Sequence, residues 1–336
     1  MSGVSPKVLK DFILSAEKET TFGTPVDSTS IALPTDDMQF DPQFSNHQIA
    51  RARGVRGDHE GDAFNDSDLS IPTASFTAPV TSNQFVVLLP GVLQSASAWS
   101  PTTNVYDMFT VAGSESLPTP KADNSGYFYT LFRNSSDATL DDERLTSAIP
   151  TSLKLSLDPN ENDGLLTAQW DFIAKAYSRG ITGSGTVTQE SLASTLIYKY
   201  SGLTTISAWG QSPALKDIAG FEINVTNNGK FLLNNPNSEV VFPMFDVSGT
   251  LKLVGGAAAE AIKALCASSA VSTGADLSFT WGDGTVSSAG EMILTVFGLP
   301  LSYTMDYSDG EICSIAFKGM FGGESEYPFE ANFFAA

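Results

Sequence analysis

The histidines and acidic loops are the residues of this chain whose types could do chemistry. His47 and His59 are the only histidines, and both lie in a polar stretch. The sequence HEGD, which begins at His59, lacks the second histidine at helical spacing that completes a typical zinc motif. Segment 158–164, DPNENDG, is similar to a calcium loop but has Asp163 where that loop needs glycine and Gln169 where it needs glutamate. We interpret the histidines as solvated loop residues and segment 158–164 as a hairpin turn.

Other catalytic signatures are missing from the sequence. It has no G-x-S-x-G elbow, no phosphate-binding P-loop and no dinucleotide-binding glycine motif. Asp141 and Asp142 are adjacent, so their side chains diverge on a strand and form a poor acid/base pair. We therefore predict no catalytic residue, no cofactor, no metal site and no enzymatic activity.

Segment 45–68 is the most distinctive polar run. Basic residues alternate along its first part and acidic residues along its second part, in the order Arg51, Arg53, Arg56, Asp58, Glu60 and Asp62. Two interpretations stay open. The segment is either a flexible loop of mixed charge or a bipolar docking arm that pairs head to tail with another copy. Single surface ion pairs contribute only ~0–1 kcal/mol, so docking would depend on repetition around a ring.

Composition restricts the classes of partner. The chain has 336 residues and a net charge of −20, from 18 basic and 38 acidic residues. Both halves share the acidic excess, which argues against a binder of nucleic acid or of an anionic membrane. No run is apolar enough for a membrane span, and charges interrupt the apolar N-terminal run, so we expect no export signal. We expect Cys266 and Cys313 to be free thiols and the chain to fold in the cytoplasm.

The pattern of apolar residues predicts a mainly β protein. Short alternating runs are bounded by Asn, Asp, Gly and Pro turns. Only two helices are expected, Thr81–Leu89 and Ala257–Ala267, and Pro90 is expected to end the first. Residues 178–191, rich in Gly, Ser and Thr, are the candidate linker. Many short strands with one helix in each half favour a β-sandwich or small barrel on which the helix packs.

The two halves of the chain share a sequence pattern. The hairpin after Pro150 and the hairpin after Pro300 both have an alternating strand, a polar turn and a second alternating strand. At a constant offset, Leu166, Ala168 and Trp170 align with Cys313, Ile315 and Phe317. Upstream, Phe76 and Ala78 align with Leu251 and Leu253, each pair followed by a helix. We predict two tandem modules, residues 1–189 and 190–336.

Several segments resemble phage tail tube proteins. The segment EKETTFGTPV at 17–26 is similar to a turn of that family in which an acidic residue precedes an aromatic-Gly-Thr sequence. FEINVTNNGKF, VSGTLKLV, the second helix, ADLSFTWGDG and LPLSYTMDYSDGEICSIAFKG also follow that family's core order. The resemblance covers most of the chain, and residues 97–142 depart from it.

The resemblance implies a structural virion protein of the tail, assembled in the host cytoplasm. It implies stacked rings around a channel for genome ejection, with a duplicated module giving trimers of pseudo-sixfold symmetry. Implied partners are other copies, the tail terminator, tail-tip or baseplate proteins, the tape-measure protein in the lumen, and DNA that passes without specific binding. The residues expected to face the lumen are Thr167, Gln169, Asp171, Thr304 and Asp306.

Other functions remain open at this point. The chain could form hexameric rings in which only one module lines the lumen. It could instead be a β-sandwich binding protein of the virion, either a decoration protein or an adhesin. A carbohydrate-active β-sandwich is the least favoured, because histidines are scarce and catalytic motifs are missing. The four tryptophans of the chain could form sugar platforms, but such residues more often pack in a core: Trp99, Trp170, Trp209 and Trp281.

Overall fold

The structure is a computed structural model that describes most of the chain. The described residues are 12–26, 29–33, 35, 37–43, 45–48, 63–66, 71–93, 104–107, 128–135, 142–181, 186–188, 197–232, 239–242, 244–267, 276–284, 290–308, 311–320 and 328–333. Antiparallel strands dominate, as the alternating patterns predict, and the mainly β fold class is confirmed.

Strands and one helix make up the first half. They are β1 (Phe12–Lys18), β2 (Thr29–Leu33), β3 (Asp37–Asp41), β4 (Ser45–Gln48), β5 (Ala63–Asp66), β6 (Thr73–Pro79), α1 (Ser82–Leu93), β7 (Asn104–Asp107), β8 (Tyr129–Ser135), β9 (Asp142–Leu157), β10 (Thr167–Ile173), β11 (Ala176–Ile181) and β12 (Thr186–Thr188).

The second half also consists of strands and one α-helix. Its elements are β13 (Leu203–Ala208), β14 (Ile218–Thr226), β15 (Lys230–Leu232), β16 (Glu239–Val241), β17 (Asp246–Val254), α2 (Ala257–Ala267), β18 (Asp276–Trp281), β19 (Met292–Asp306), β20 (Ile312–Gly319) and β21 (Glu330–Phe333). Neither helix has the length and apolar character of a membrane span, among the residues described.

One sheet runs through both halves of the chain. Its spatial order is β3-β6-β10-β9-β14-β17-β20-β19, and every neighbouring pair is antiparallel. We call it the central sheet. The pairing of β9 with β14 is the only direct link between its two halves in the described residues, and we call this pairing the internal joint.

Two long strands connect the central sheet to two outer sheets. The first part of β9 pairs with β8 and β11, and its last part belongs to the central sheet. In the same way the first part of β19 pairs with β18 and β21 before the strand enters the central sheet. A β-bulge follows Pro150 in β9 and Pro300 in β19, where each strand has entered the central sheet. A bulge bends its strand and increases its twist, which suits a strand that changes sheets.

Seven strand pairings of the first half recur in the second half, whereas β1–β2 and β2–β12 have no counterpart there among the described residues. The pairs β1–β8, β3–β6, β4–β5, β6–β10, β8–β9, β9–β10 and β9–β11 recur as β13–β18, β14–β17, β15–β16, β17–β20, β18–β19, β19–β20 and β19–β21. Along the chain of each half, the helix follows the second strand of the central sheet (β6 or β17) and precedes the third (β9 or β19). We call these the first and second pairing sets.

The ladders correct the residue alignment of the two hairpins by two positions. Phe172 lies opposite Pro150, and Phe317 lies opposite Pro300, each beside the bulge. Phe317 therefore corresponds to Phe172 and not to Trp170, whose counterpart is Ile315. A shift of two residues keeps every side chain on the same face of its strand, so alternation alone could not detect it.

The core is shared by both pairing sets. One cluster of buried residues extends from Phe76 and Trp170 to Leu251 and Ile315. Phe85 of α1 contacts Phe333 of β21, with ring centroids 5.6 Å apart. Trp170, Trp209 and Trp281 are buried, as expected for core tryptophans, and Trp99 lies outside the described residues. The predicted boundary at residues 189 and 190 is not tested and stays a prediction.

Two local expectations were wrong. Pro90 does not end the first helix, which continues to Leu93. Leu89 and Leu93 are fully buried, so tertiary packing offsets the missing backbone hydrogen bond at the proline. The expected linker, 178–191, contains the end of β11 and all of β12. These strands pair with β9 and β2, so ladder hydrogen bonds order residues 178–181 and 186–188, and the rest of the expected linker lies outside the described residues.

Candidate assembly surface

The central sheet has one buried and one polar face. In β6 the side chains of Phe76 and Ala78 are buried, whereas Ser75 and Thr77 are partly exposed. Side chains on successive residues of a strand point to opposite faces, so this alternation produces two chemically distinct surfaces. The same alternation continues across β3, β10, β9, β14, β17 and β20, whereas in residues 301–306 of β19 Met305 is partly buried and the others are exposed. The result is a polar face that crosses the internal joint without interruption.

Hydroxyl and amide side chains are the largest group on the polar face. The ionisable side chains that its described strands carry are Lys154, Lys252, Lys318, Asp37, Asp41, Asp171, Glu222, Asp246 and Asp306. Carboxylates therefore outnumber lysines two to one on this face. Two of the lysines lie in ion pairs, Lys154 with Glu222 at 2.7 Å and Lys318 with Asp246 at 3.1 Å.

The five residues expected to face a lumen all lie on this face. Gln169, Thr304 and Asp306 are exposed, and Asp171 is partly buried and accepts a hydrogen bond from Ser152 Oγ at 2.5 Å. Thr167 is buried, with its hydroxyl 2.8 Å from Ser156 Oγ. The common face is thus observed for all five residues. That this face lines a channel stays a prediction.

The internal joint is held by apolar contacts on one face and an ion pair on the other. Leu155 pairs with Ile223, and both side chains are fully buried. On the polar face Lys154 Nζ lies 2.7 Å from Glu222 Oε2, and Asn224 Nδ2 donates to Glu222 Oε1 at 3.0 Å. Burial alone would raise the pKa of Glu222, but these two hydrogen bonds and the nearby lysine charges lower it below its ordinary value.

A polar recess of about 340 Å³ opens at one end of the internal joint. Its lining includes Lys154, Glu222 and Lys252 from the strands, with Asp158 and Asn162 from the turn between β9 and β10. That turn is the predicted hairpin turn, with Asn162 and Asp163 at positive φ. Charged groups of both signs line the recess, which differs from the mainly apolar lining of a typical ligand pocket.

The acidic turn singled out near the N-terminus is anchored by a buried carboxylate. Glu19 is 4% exposed and accepts hydrogen bonds from Thr130 Oγ1 (2.8 Å), Ser147 N (2.7 Å) and Ser147 Oγ (2.6 Å). Gly23 N donates to Ser147 Oγ at 2.7 Å, and Gly23 has a φ of +81°. The turn is therefore fixed to β8 and β9. The resemblance pointed to the acidic turn at 17–26, but nothing in the sequence distinguished Glu19 from Glu17 or marked Thr130 and Ser147 as partners.

Phe22, in the same turn, adds an apolar anchor. Its ring meets that of Phe128 edge to face, with centroids 4.8 Å apart. Lys175 Nζ lies 4.6 Å from the centroid of the Phe22 ring. Aromatic and cation–π contacts of this kind each contribute about 0.5–1.5 kcal/mol. The first strand is therefore held in place at its C-terminal end by both polar and apolar contacts.

The predicted docking residues lie outside the described residues, but the strands beside them are described. Arg51, Arg53, Arg56, Asp58, Glu60 and Asp62 fall between β4 and β5, which pair with each other. The second pairing set has the same hairpin, β15–β16, and its connection 233–238 has the uncharged sequence LNNPNS. The charged segment thus occupies the place of a hairpin connection that occurs twice in the chain.

Both cysteines are free thiols in this structure. Cys313 is buried and Cys266 is partly buried, and burial raises the pKa of each thiol. In the described part of the chain, no three His, Cys, Asp or Glu side chains come together as a metal site would require.

Comparison with known proteins gives no further guide to the function, because neither a family model nor a curated protein matches this chain.

Proposed function

We propose that this chain is a structural protein of a virion, the subunit of a phage tail tube. In this proposal the two pairing sets are two copies of one tail-tube module. Three chains form a ring of six modules, and rings stack into a tube through which the genome passes. The protein functions in the tail of the virion after assembly in the host cytoplasm, and it has no enzymatic role.

One observation carries the proposal. Seven strand pairings and the helix position recur in the two halves of the chain, and the internal joint links these halves head to tail through one sheet. A head-to-tail contact between equivalent units is heterologous, so repeating it closes a ring or extends a filament. A chain that already contains one such contact needs only the same contact between chains to continue the series.

The charge of the polar face suits a channel for DNA. Lysines that neutralise phosphates give an affinity that rises with each contact, which would impede sliding. Here two of the three described lysines are paired with carboxylates on the same face. The remaining excess of carboxylates repels a DNA backbone within about a Debye length, ~8–10 Å. The face would therefore let DNA slide without holding it.

The partners follow from the same proposal. Copies of the chain contact each other within and between rings, and the charged segment between β4 and β5 is the candidate contact between rings. The tail terminator and the tail-tip or baseplate proteins would close the two ends of the tube. The tape-measure protein would occupy the lumen before DNA does.

The assembly state of the purified full chain tests the proposal. We expect multi-angle light scattering to detect three-chain particles or larger polymers, and negative-stain electron microscopy to show rings or tubes with a central hole. Monomers that persist at the highest soluble concentration would contradict self-assembly. They would favour instead a decoration or adhesin protein that acts as a single unit.

A further inference from the structure

The central sheet ends in two strands that have one partner each. In the described part of the chain, β3 pairs only with β6, and residues 302–306 of β19 pair only with β20. Their counterparts in the other pairing set are β14 and β9, and these two strands pair with each other at the internal joint. The open edges are thus the same two edges that are joined inside the chain.

Exposed aromatic side chains mark the open edge of β19. Tyr303 is 44% exposed, and Tyr307, just after the strand, is 72% exposed. By the ladder alignment their counterparts are Leu153 and Leu157, which are at most 1% exposed. Those leucines are covered because Val225 and Phe221 of β14 lie opposite them. A strand edge with exposed aromatic groups is a ready template for another strand.

We propose, on the basis of the proposed function, that β19 of one copy pairs with β3 of the next copy in the register of the internal joint. The occupant of this edge is a second copy of this chain. The internal register places Phe221 opposite Leu157 and Thr226 opposite Ser152. Transferred to the open edges, it pairs the two copies as Tyr307 with Met38, Asp306 with Gln39, Met305 with Phe40 and Thr304 with Asp41.

The side chains agree with this register on both faces. Met38 is buried and Phe40 is partly buried on the core face of β3, where Tyr307 and Met305 would join them. Gln39 and Asp306 are both exposed on the polar face. A slip of one residue would place the tyrosines on the polar face and the carboxylates on the core face, so the register is strongly specified.

The joint between copies differs from the internal joint in charge. Lys154 and Glu222 form the internal ion pair, and the counterparts of these residues are Thr304 and Gln39. The proposed joint also brings Asp306 beside Asp37 and Asp41 of the next copy. Like charges on neighbouring strands destabilise their pairing. Contacts between copies are therefore weaker than the contact within the chain, and rings open at the chain boundaries first.

Disulfide trapping tests the register. In a chain carrying Cys266→Ala and Cys313→Ala, the variant Gln39→Cys with Asp306→Cys should cross-link neighbouring copies on oxidation. Denaturing gels should then show covalent dimers and trimers, because cross-strand partners lie within the Cα separation that a disulfide requires, at most ~7 Å. The matched control is Gln39→Cys with Ser302→Cys, which is displaced by four residues, ~13 Å, and should stay monomeric on the gel.

The outcomes separate the register from the proposed function. Suppose that electron microscopy shows rings but that only the control pair, 39–302, or neither pair cross-links. This result would overturn the register and leave the tube proposal intact. Absence of rings in the unsubstituted chain would overturn both. Rings together with cross-linking of the 39–306 pair alone would support both.

A double-substitution cycle tests the charge difference independently. Thr304→Lys should lower the protein concentration at which rings form, and Gln39→Glu should raise it. Together they recreate the internal ion pair. The double variant should therefore form rings at a concentration about two- to five-fold lower, per joint, than the product of the two single fold-changes. Purely additive effects would show that positions 304 and 39 are not neighbours between copies.

Discussion

At the scale of residues, the buried carboxylate of Glu19 anchors the turn that follows β1. It accepts three hydrogen bonds, one from the hydroxyl of Thr130 on β8 and two from the backbone N–H and the hydroxyl of Ser147 on β9. Hydrogen bonds to an ionised group are stronger than neutral ones, and removal of the acceptor leaves buried donors unsatisfied. Glu19 therefore connects the turn at residues 19–26 to the outer sheet of the first pairing set.

Replacement of Glu19 should destabilise the fold. In Glu19→Gln the amide group replaces an oxygen acceptor, so at least one buried donor loses its partner. We expect the free energy of unfolding to fall by about 1–3 kcal/mol, measured by urea denaturation. Glu161→Gln, at an exposed position, is the matched control and should change it by less than about 0.5 kcal/mol. Equal effects of the two substitutions would contradict the anchoring role.

At the scale of elements, the internal joint depends on close approach of two backbones. β14 begins with a bulge between Ile218 and Gly220. Gly220 has a φ of +145°, and a Cβ at this position would lie 2.7 Å from the carbonyl oxygen of Leu157. Both the backbone conformation and the contact exclude a side chain. The glycine thus lets β14 run close beside the end of β9.

A methyl group at this position should disrupt the joint. We expect Gly220→Ala to lower the free energy of unfolding by roughly 2–4 kcal/mol, from backbone strain and the clash together. Gly202→Ala is a suitable control, because its Cβ would meet only Trp281 Cδ1 at 3.4 Å, an ordinary contact. Thermal or urea unfolding would measure both variants. A Gly220→Ala variant as stable as the control would show that the joint tolerates a wider spacing.

The sequence was most informative where the local pattern and the tertiary environment agree. Alternation predicted both hairpins, and helix propensity predicted α2 with its observed bounds. Pro90 was misinterpreted because burial of α1 outweighs the cost of an internal proline. The partners of Glu19, Thr130 and Ser147, lie more than a hundred residues away along the chain, and no local pattern encodes such contacts. The two-residue alignment error had a similar cause, since strand alternation does not change under a shift of two.

At the scale of the whole molecule, the polar face and the open edges belong to one surface. The face crosses the internal joint, and the proposed pairing of β19 with β3 would continue it from one chain to the next. Closure would place the buried face of the central sheet and both outer sheets outside the channel. The acidic excess of the polar face would then surround the axis of the tube.

In the proposed tube, one added lysine on the polar face should make the channel bind DNA. Gln169 is exposed in the middle of the face, and Gln169→Lys would place one added cation per chain along the whole tube. We expect assembled variant tubes to bind short DNA, with an affinity that falls as salt increases, measured by fluorescence anisotropy. Ser201→Lys, at an exposed position outside the central sheet, adds the same charge as a control and should not bind DNA inside the tube. Equal binding by both variants would show that Gln169 does not face a channel.

The symmetry of the assembled particle tests the central claim most directly. End-on class averages of rings or tubes, obtained by electron cryomicroscopy of the full chain, give the rotational symmetry without any substitution. The account predicts six lobes around a central hole at low resolution, which separate into three repeating units at higher resolution because the two pairing sets differ in sequence. A ring of six chains with twelve lobes, a symmetry that is not a multiple of three, or particles without a hole would contradict it.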